Sequence, residues 1–140
     1  MSTPSRAVRA WLWVVYGMIL AMVAIGGITR LTGSGLSMTE WHPLMGAIPP
    51  LSEEAWLEVF ARYQQSPQFQ QVNDWMTLAD FQRIFFWEYL HRLFGRLIGL
   101  VVFLPWLVFL ALRQLDRTLA VQTVVMIVLG GLQGLLGWYM

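Results

Sequence analysis

Long apolar stretches separate short polar ones along this chain of 140 residues. Residues 10–28, 93–112 and 119–140 carry almost no charge, and each approaches the roughly 20 residues that a helix needs to cross a bilayer. Between the first two stretches lies a polar segment over about 29–90. The pattern predicts an all-α integral membrane protein with three transmembrane helices and one large loop between helices one and two.

The loop carries helix signals of its own. Ser52 is a good N-cap, the two glutamates that follow it suit a first helical turn, and Leu51 and Trp56 occupy the positions of a hydrophobic staple. A short amphipathic helix is therefore predicted over about 53–64, ending before Ser66-Pro67.

A second helix start falls at Thr77, which has Asp80 three residues further on as its capping partner. No glycine or proline interrupts the chain from there until Gly95. We predict one long helix over about 78–112, which begins outside the membrane and continues into it.

Composition supports a membrane protein and excludes several functions. The chain is 57% hydrophobic and 12% charged, about half the charged share of soluble domains. With a net charge of +1 and no basic run, nothing indicates nucleic acid as a partner. The absence of cysteine excludes disulfides and thiolate metal sites.

Arginines near the apolar stretches predict the orientation. Arg6 and Arg9 precede the first stretch, and Arg113 and Arg117 lie in the short link between the second and third. Positive charge in short loops marks the cytoplasmic side. The N-terminus is therefore predicted to be cytoplasmic, and the loop over 29–90 external.

The candidate chemistry lies where the long helix enters the membrane. Glu88, His91 and Gly95 share one helical face, with Arg92 and Arg96 on a neighbouring stripe. Ionisable residues at such a position usually face a partner or a cavity. Imidazole is a common iron ligand, a glycine one turn away leaves room for a planar macrocycle, guanidinium binds carboxylates, and a desolvated carboxyl suits acid–base work.

Other interpretations of these residues stay open at this point. Glu88 could pair with Arg92 four residues on, while arginines at the interface could extend toward water. A di-iron bundle would need a second Glu-x-x-His motif, which the sequence lacks. The only other histidine, His42, is expected to be a surface or interface residue, and the two histidines make no zinc motif.

Longer motifs resemble a known family. They are GGITRLTGSGLSMTEWHPLMGAIPPLSEEAWLEVFARYQQSPQFQ (26–70), MTLADFQRIFFWEYLHRLFGRLIGL (76–100) and GGLQGLLGWYM (130–140). In collinear order they closely resemble the heme A synthases of bacterial and mitochondrial inner membranes, and specifically the cysteine-free subtype. The resemblance implies two four-helix bundles, so residues 1–140 would form an incomplete N-terminal heme-binding bundle with three of its four helices.

The resemblance also implies a reaction and its residues. Heme A synthases oxidise the C8 methyl of the substrate heme O to the formyl group of heme A, for cytochrome c oxidase biogenesis. His91 matches an axial ligand of the heme iron, and Glu88 matches a glutamate that takes part in catalysis. Arg30, Arg92 and Arg96 match motif residues around the heme, while Gly95 is the glycine proposed above to make room for it.

Partners and location follow from the same resemblance. It implies a multi-pass protein of the bacterial inner (plasma) membrane, with a b-type heme as cofactor in a second bundle. It leaves open heme O synthase and an electron acceptor as partners, besides the lipid bilayer, and also a homo-oligomer.

The length of the chain bears on activity. The sequence is expected to be the N-terminal portion of a heme-modifying oxidoreductase, with no activity of its own expected. The alternatives are a membrane protein that holds b-type heme for electron transfer without altering it, and a heme-free scaffold in oxidase assembly.

Overall fold

The computed structural model describes residues 4–39 and 48–139, most of which are helical. Helix α1 spans Arg6–Leu31, α2 Glu53–Gln64, α3 Leu78–Ala111 and α4 Arg117–Tyr139, with a π-helical segment at Phe69–Asn73 between α2 and α3. No strand occurs among the described residues. The all-α prediction is confirmed, and α2 has the predicted bounds. His42 lies outside the described residues.

Within the described residues, three helices are long and apolar enough to cross a membrane: Arg6–Leu31, Leu78–Ala111 and Arg117–Gly137. They correspond to the three predicted spans, and the chain is a multi-pass membrane protein. Helix α3 has 34 residues, which is about 50 Å at a rise of 1.5 Å per residue. A bilayer core of about 30 Å cannot contain that length, so part of α3 extends beyond it.

The predicted caps form. Ser52 Oγ accepts a hydrogen bond from the Ala55 amide at 3.2 Å. At the start of α3, the Thr77 amide and hydroxyl both donate to Asp80, at 3.1 and 2.6 Å. These bonds, the one from the Thr77 hydroxyl first, lower the pKa of Asp80, which lies within the predicted external segment.

One element was not predicted. The sequence correctly indicates the end of α2 near Ser66-Pro67, but the chain then forms the π-helical segment Phe69–Asn73. Ser66 connects the two elements, because its Oγ donates to the Tyr63 carbonyl at 2.6 Å and accepts from the Phe69 amide at 3.2 Å. A five-residue π-helix leaves no apolar period long enough to read from sequence.

The chain forms two compact units. The central unit comprises Val23–Leu93, and the terminal unit comprises Met1–Met22 together with Phe94–Met140.

Aromatic rings build the core of the central unit. Tyr63 and Phe81 are fully buried and stack with ring centroids 4.9 Å apart, and Phe85 lies beside them. The Tyr63 hydroxyl accepts a hydrogen bond from Asn73 Nδ2 at 2.7 Å, so the one polar atom of this ring is satisfied inside the core. The segment from α2 to the start of α3 is therefore a packed structure.

The terminal unit has a smaller core, built on the first turns of α1. Val8, Trp11 and Val15 are buried there, and the Trp11 ring lies 5.4 Å from that of Phe109 on α3. A polar contact accompanies this packing, since Trp11 Nε1 donates to the Val101 carbonyl at 2.8 Å.

Pro105 explains that hydrogen bond. In a helix the Val101 carbonyl would accept from the amide of residue 105, but proline has no amide hydrogen. The carbonyl would remain without a donor inside an apolar span, where no water is present to replace it. The Trp11 indole supplies the donor that Pro105 lacks.

Candidate heme-binding and carboxylate site

The Glu88 carboxylate is buried in the central unit and accepts hydrogen bonds from several donors there. Glu88 is 5% exposed, and its Oε2 accepts hydrogen bonds from Ser37 Oγ at 2.6 Å and from the Met38 amide at 2.9 Å. Its Oε1 forms an ion pair with the Arg92 guanidinium, one turn further along α3. These three donors together complement a carboxylate, which has acceptors but no donor.

The sharp turn after α1 places Ser37 and Met38 next to this carboxylate. Gly33 has a φ of 63°, and Leu36 has a φ of 69°. Glycine adopts such a φ freely, but the left-handed region costs a non-glycine residue about 1–2 kcal/mol. The strained backbone at Leu36 directly precedes the two residues that bind Glu88.

His91 lies one turn after Glu88, and its ring rests against α1. A Cβ on Gly26 would stand 3.3 Å from His91 Nε2 and 3.6 Å from Cδ2. A side chain at position 26 would therefore crowd the imidazole, whereas glycine leaves room for the ring against α1. Gly27 has no such neighbour.

Thr29 reinforces the approach of α1 to α3 within the central unit. It is almost fully buried, and its hydroxyl lies 2.9 Å from the Ile25 carbonyl and 3.3 Å from that of Trp87. Trp87 directly precedes Glu88 in α3. The end of α1 is thus held next to the helical turn that carries the candidate residues.

The other predicted residues lie in different surroundings. Gly95 and Arg96 belong to the terminal unit, where a Cβ on Gly95 would meet the Met22 methyl at 3.4 Å, and both residues are half-buried. Arg30 is exposed in the last turn of α1. Of the predicted residues, the structure connects Glu88 with Arg92 directly, which confirms the ion pair that the sequence left open.

One feature of the site suits a heme. Among the described residues, no group of three or more histidine, cysteine, aspartate or glutamate side chains could hold a bare metal ion. A single imidazole is sufficient as a protein ligand when a macrocycle supplies four nitrogens to the iron. The half-buried His91 offers such an imidazole, and the glycine at position 26 leaves its ring room beside α1.

Sequence reasoning overlooked Gly26, Ser37 and Met38 as parts of this site. Gly26 was visible as half of a Gly-Gly pair within an apolar span, which signals a close approach. For Ser37 and Met38 the only signal was the glycine-rich turn before them. Their contact with a carboxylate 50 or more positions away along the chain has no local signature.

Comparisons with known proteins agree on the family. Residues 9–140 match the cytochrome oxidase assembly protein family. The heme A synthase of Caulobacter vibrioides is 55% identical over 139 residues, which cover 99% of this chain and 40% of that protein. That of Nitrosomonas eutropha is 50% identical over 133 residues, covering 95% and 37%, and that of Methylobacterium sp. is 55% identical over 139 residues, covering 99% and 39%.

The chain spans about two fifths of the length of these curated relatives. No solved structure matches it significantly. Nearly every residue of the chain is covered by the family match and by relatives well above 30% identity. The chain belongs to the cytochrome oxidase assembly protein family.

Proposed function

We propose that this chain forms the N-terminal, substrate-heme-binding part of a heme A synthase. The relatives named heme A synthase support the activity, since they are 50–55% identical over almost the whole chain. The observation that carries the assignment of the site is the buried Glu88 carboxylate, one helical turn from an imidazole cradled by Gly26.

The reaction proposed is oxidation of the C8 methyl of heme O to a formyl group. With water as the oxygen source, a methyl group and one water yield the formyl group, four protons and four electrons. The reaction therefore needs groups that hold the substrate, groups that handle protons, and an electron acceptor. A bound heme supplies the redox-active iron and the conjugated ring that bears the methyl group.

Each candidate residue has a role in this proposal. His91 binds the iron of the substrate heme through its imidazole, and Gly95 gives the macrocycle room at α3. Glu88 accepts protons at the methyl carbon or stabilises positive charge that develops there. Arg92 orients Glu88, and Arg30 and Arg96 bind carboxylates at the heme edge.

Location and partners complete the proposal. We place the protein in the bacterial inner membrane with a cytoplasmic N-terminus, because short arginine-containing segments flank the spans on one side. A b-type heme cofactor would reside in a part of the protein that this chain does not cover. The proposal includes heme O synthase as the donor of substrate and a further protein or cofactor as the acceptor of electrons. It also includes association of the protein into a homo-oligomer.

A second function is favoured by one observation. Both Glu88 oxygens already have partners within the protein, as expected of a structural carboxylate. On that view the chain holds b-type heme for electron transfer or oxidase assembly and does not alter it. Electron transfer alone would not require Glu88.

The deciding experiment compares variants of the full-length protein for heme A yield and for Soret absorbance. Glu88→Gln keeps the shape of the side chain and is expected to retain Soret absorbance while lowering formyl formation by about 100-fold or more. His91→Ala is expected to lose the absorbance of the substrate heme. Glu54→Ala, which alters an exposed glutamate of α2, serves as the control. Normal heme A yield from Glu88→Gln would favour the non-catalytic function.

A further inference from the structure

The segment Ser37-Met38 holds the Glu88 carboxylate from a direction that α3 itself cannot provide. Ser37 is 0% exposed, and its hydroxyl and the following amide both donate to Oε2, at 2.6 and 2.9 Å. Arg92 occupies the other oxygen from one helical turn away. The two oxygens of Glu88 are therefore fixed by partners from two parts of the chain, which defines both the position and the rotation of the carboxylate.

The backbone before this segment is held in an unfavourable conformation. Leu36 has a φ of 69° although its side chain is 55% exposed, so little burial of that side chain compensates for the strain. The strained residue leads directly to Ser37. Strain next to a buried polar contact is typical of functional sites, where surrounding structure enforces a geometry that the local sequence would not choose.

We infer that Ser37 is a positioning residue for the reaction: its hydroxyl and the adjacent Met38 amide fix the Glu88 carboxylate in the orientation in which it acts. This inference rests on the proposed function, since it assigns Ser37 a role through Glu88. Loss of the Ser37 hydroxyl leaves the Glu88 oxygen with one donor fewer and lets the carboxylate rotate. A misplacement of about 1 Å in a catalytic group can lower a rate by about 100-fold.

The test uses full-length protein loaded with heme O and two matched variants, Ser37→Ala and Ser34→Ala. Ser34 belongs to the same turn and is also 0% exposed, but its hydroxyl pairs with that of Thr32 at 2.5 Å. Formyl formation reports on function. The infrared carboxylate stretch of Glu88, identified as the band that Glu88→Gln removes, reports on its hydrogen bonding.

Ser37→Ala is expected to shift the Glu88 band and to lower kcat for formyl formation by about 10-fold to 100-fold. Its KM for heme O and its Soret absorbance should stay within about 2-fold of the parent, because Ser37 is not expected to touch the substrate. Ser34→Ala should leave band and kcat close to those of the parent. Equal behaviour of the two variants in both measurements would overturn the inference.

Two further outcomes separate this inference from the proposed function. If Glu88→Gln retains its activity, the proposed role of Glu88 fails and the role of Ser37 fails with it. If Glu88→Gln is inactive while Ser37→Ala has normal kcat, only the inference fails. Should Ser37→Ala not accumulate, Ser37→Cys replaces the hydroxyl by a weaker donor of similar size. A kcat for Ser37→Cys equal to that for Ser34→Cys would again overturn the inference.

Discussion

The central and terminal units satisfy buried polar groups in different ways. In the central unit a charged side chain, Glu88, collects donors from a hydroxyl, an amide and a guanidinium. In the terminal unit the corresponding group is a backbone carbonyl, at Val101, which receives a single indole donor from Trp11. The buried Nε1 of Trp106, also in the terminal unit, has no hydrogen-bond partner among residues 4–39 and 48–139.

The difference follows from the kind of polar group that is buried in each unit. An apolar span tolerates few polar groups, and the contact of Trp11 with the Val101 carbonyl satisfies a backbone group there with a neutral donor. A buried carboxylate needs several donors and a counter-charge to offset the free energy of its desolvation. Such a buried charge is expected where the carboxylate takes part in a reaction. The buried, paired charge of Glu88 therefore agrees with its proposed role, and the neutral contact of Trp11 agrees with a role in helix packing.

Removal of the charge that pairs with Glu88 should lower the stability of the protein more than the other substitutions considered below. Arg92→Met leaves the Glu88 carboxylate with hydrogen bonds but no opposite charge, and we expect a loss of about 3 kcal/mol in the free energy of unfolding. Titration of detergent-solubilised protein with denaturant measures this loss.

The chain offers a matched control for that variant. Arg62 pairs with Glu58 at the same helical spacing, but its partner is largely exposed. Arg62→Met should therefore cost less than about 1 kcal/mol. Similar losses from Arg62→Met and Arg92→Met would show that burial of the Glu88 pair contributes nothing.

A smaller effect is expected in the terminal unit. Trp11→Phe keeps an aromatic ring but removes the donor to the Val101 carbonyl, which should cost about 1 kcal/mol. In a Pro105→Ala background the restored amide at position 105 satisfies that carbonyl, so Trp11→Phe should then cost about 0.5 kcal/mol less. The coupling free energy from the double-mutant cycle measures the link between the two positions.

Trp13→Phe is the control for this cycle, since Trp13 is 72% exposed and belongs to the same helix. It should show no coupling to Pro105→Ala. Equal coupling for Trp11 and Trp13 would contradict the role assigned to the indole.

The smallest effect on stability is expected from the hydrogen bonds between Thr77 and Asp80, and it depends on pH. The hydrogen bonds from Thr77 lower the pKa of Asp80 below its ordinary value of 3.8. The stability that they contribute is therefore present above pH 3.8 and is lost as the pH falls through the lower, folded-state pKa. Thr77→Ala should destabilise the protein more at neutral pH than at strongly acidic pH, where only the hydrogen bond from the Asp80 amide to the Thr77 hydroxyl is still lost. Thermal unfolding of both proteins across this range measures the effect, and a difference that grows toward acid would contradict it.

Most of the fold could be predicted from patterns among residues that are close together in the sequence. The caps at Ser52 and Thr77 and the three apolar spans depend on neighbouring residues, and each was predictable for that reason. That Pro105 leaves the Val101 carbonyl without a donor also follows from the sequence alone. Its partner Trp11 does not, because 90 positions separate the two residues.

The candidate site was less predictable for the same physical reason. The ion pair of Glu88 with Arg92 follows from helical spacing. The hydroxyl of Ser37 and the cradle at Gly26 depend on how distant segments meet, and only packing fixes that. The π-helical segment Phe69–Asn73 was missed because it is too short to show a period.

The indole contact of Trp11 has a consequence for biosynthesis. Helix α1 precedes α3 in the chain, so the donor is already made when the Val101 carbonyl enters the membrane. A copy of α3 that inserts without α1 presents a bare carbonyl to hydrocarbon, which no water reaches. Correct pairing of the two helices thus gives the Val101 carbonyl its hydrogen-bond donor. A chain in which α1 and α3 are not paired keeps this carbonyl exposed in the membrane, where the machinery that degrades faulty membrane proteins can recognise it.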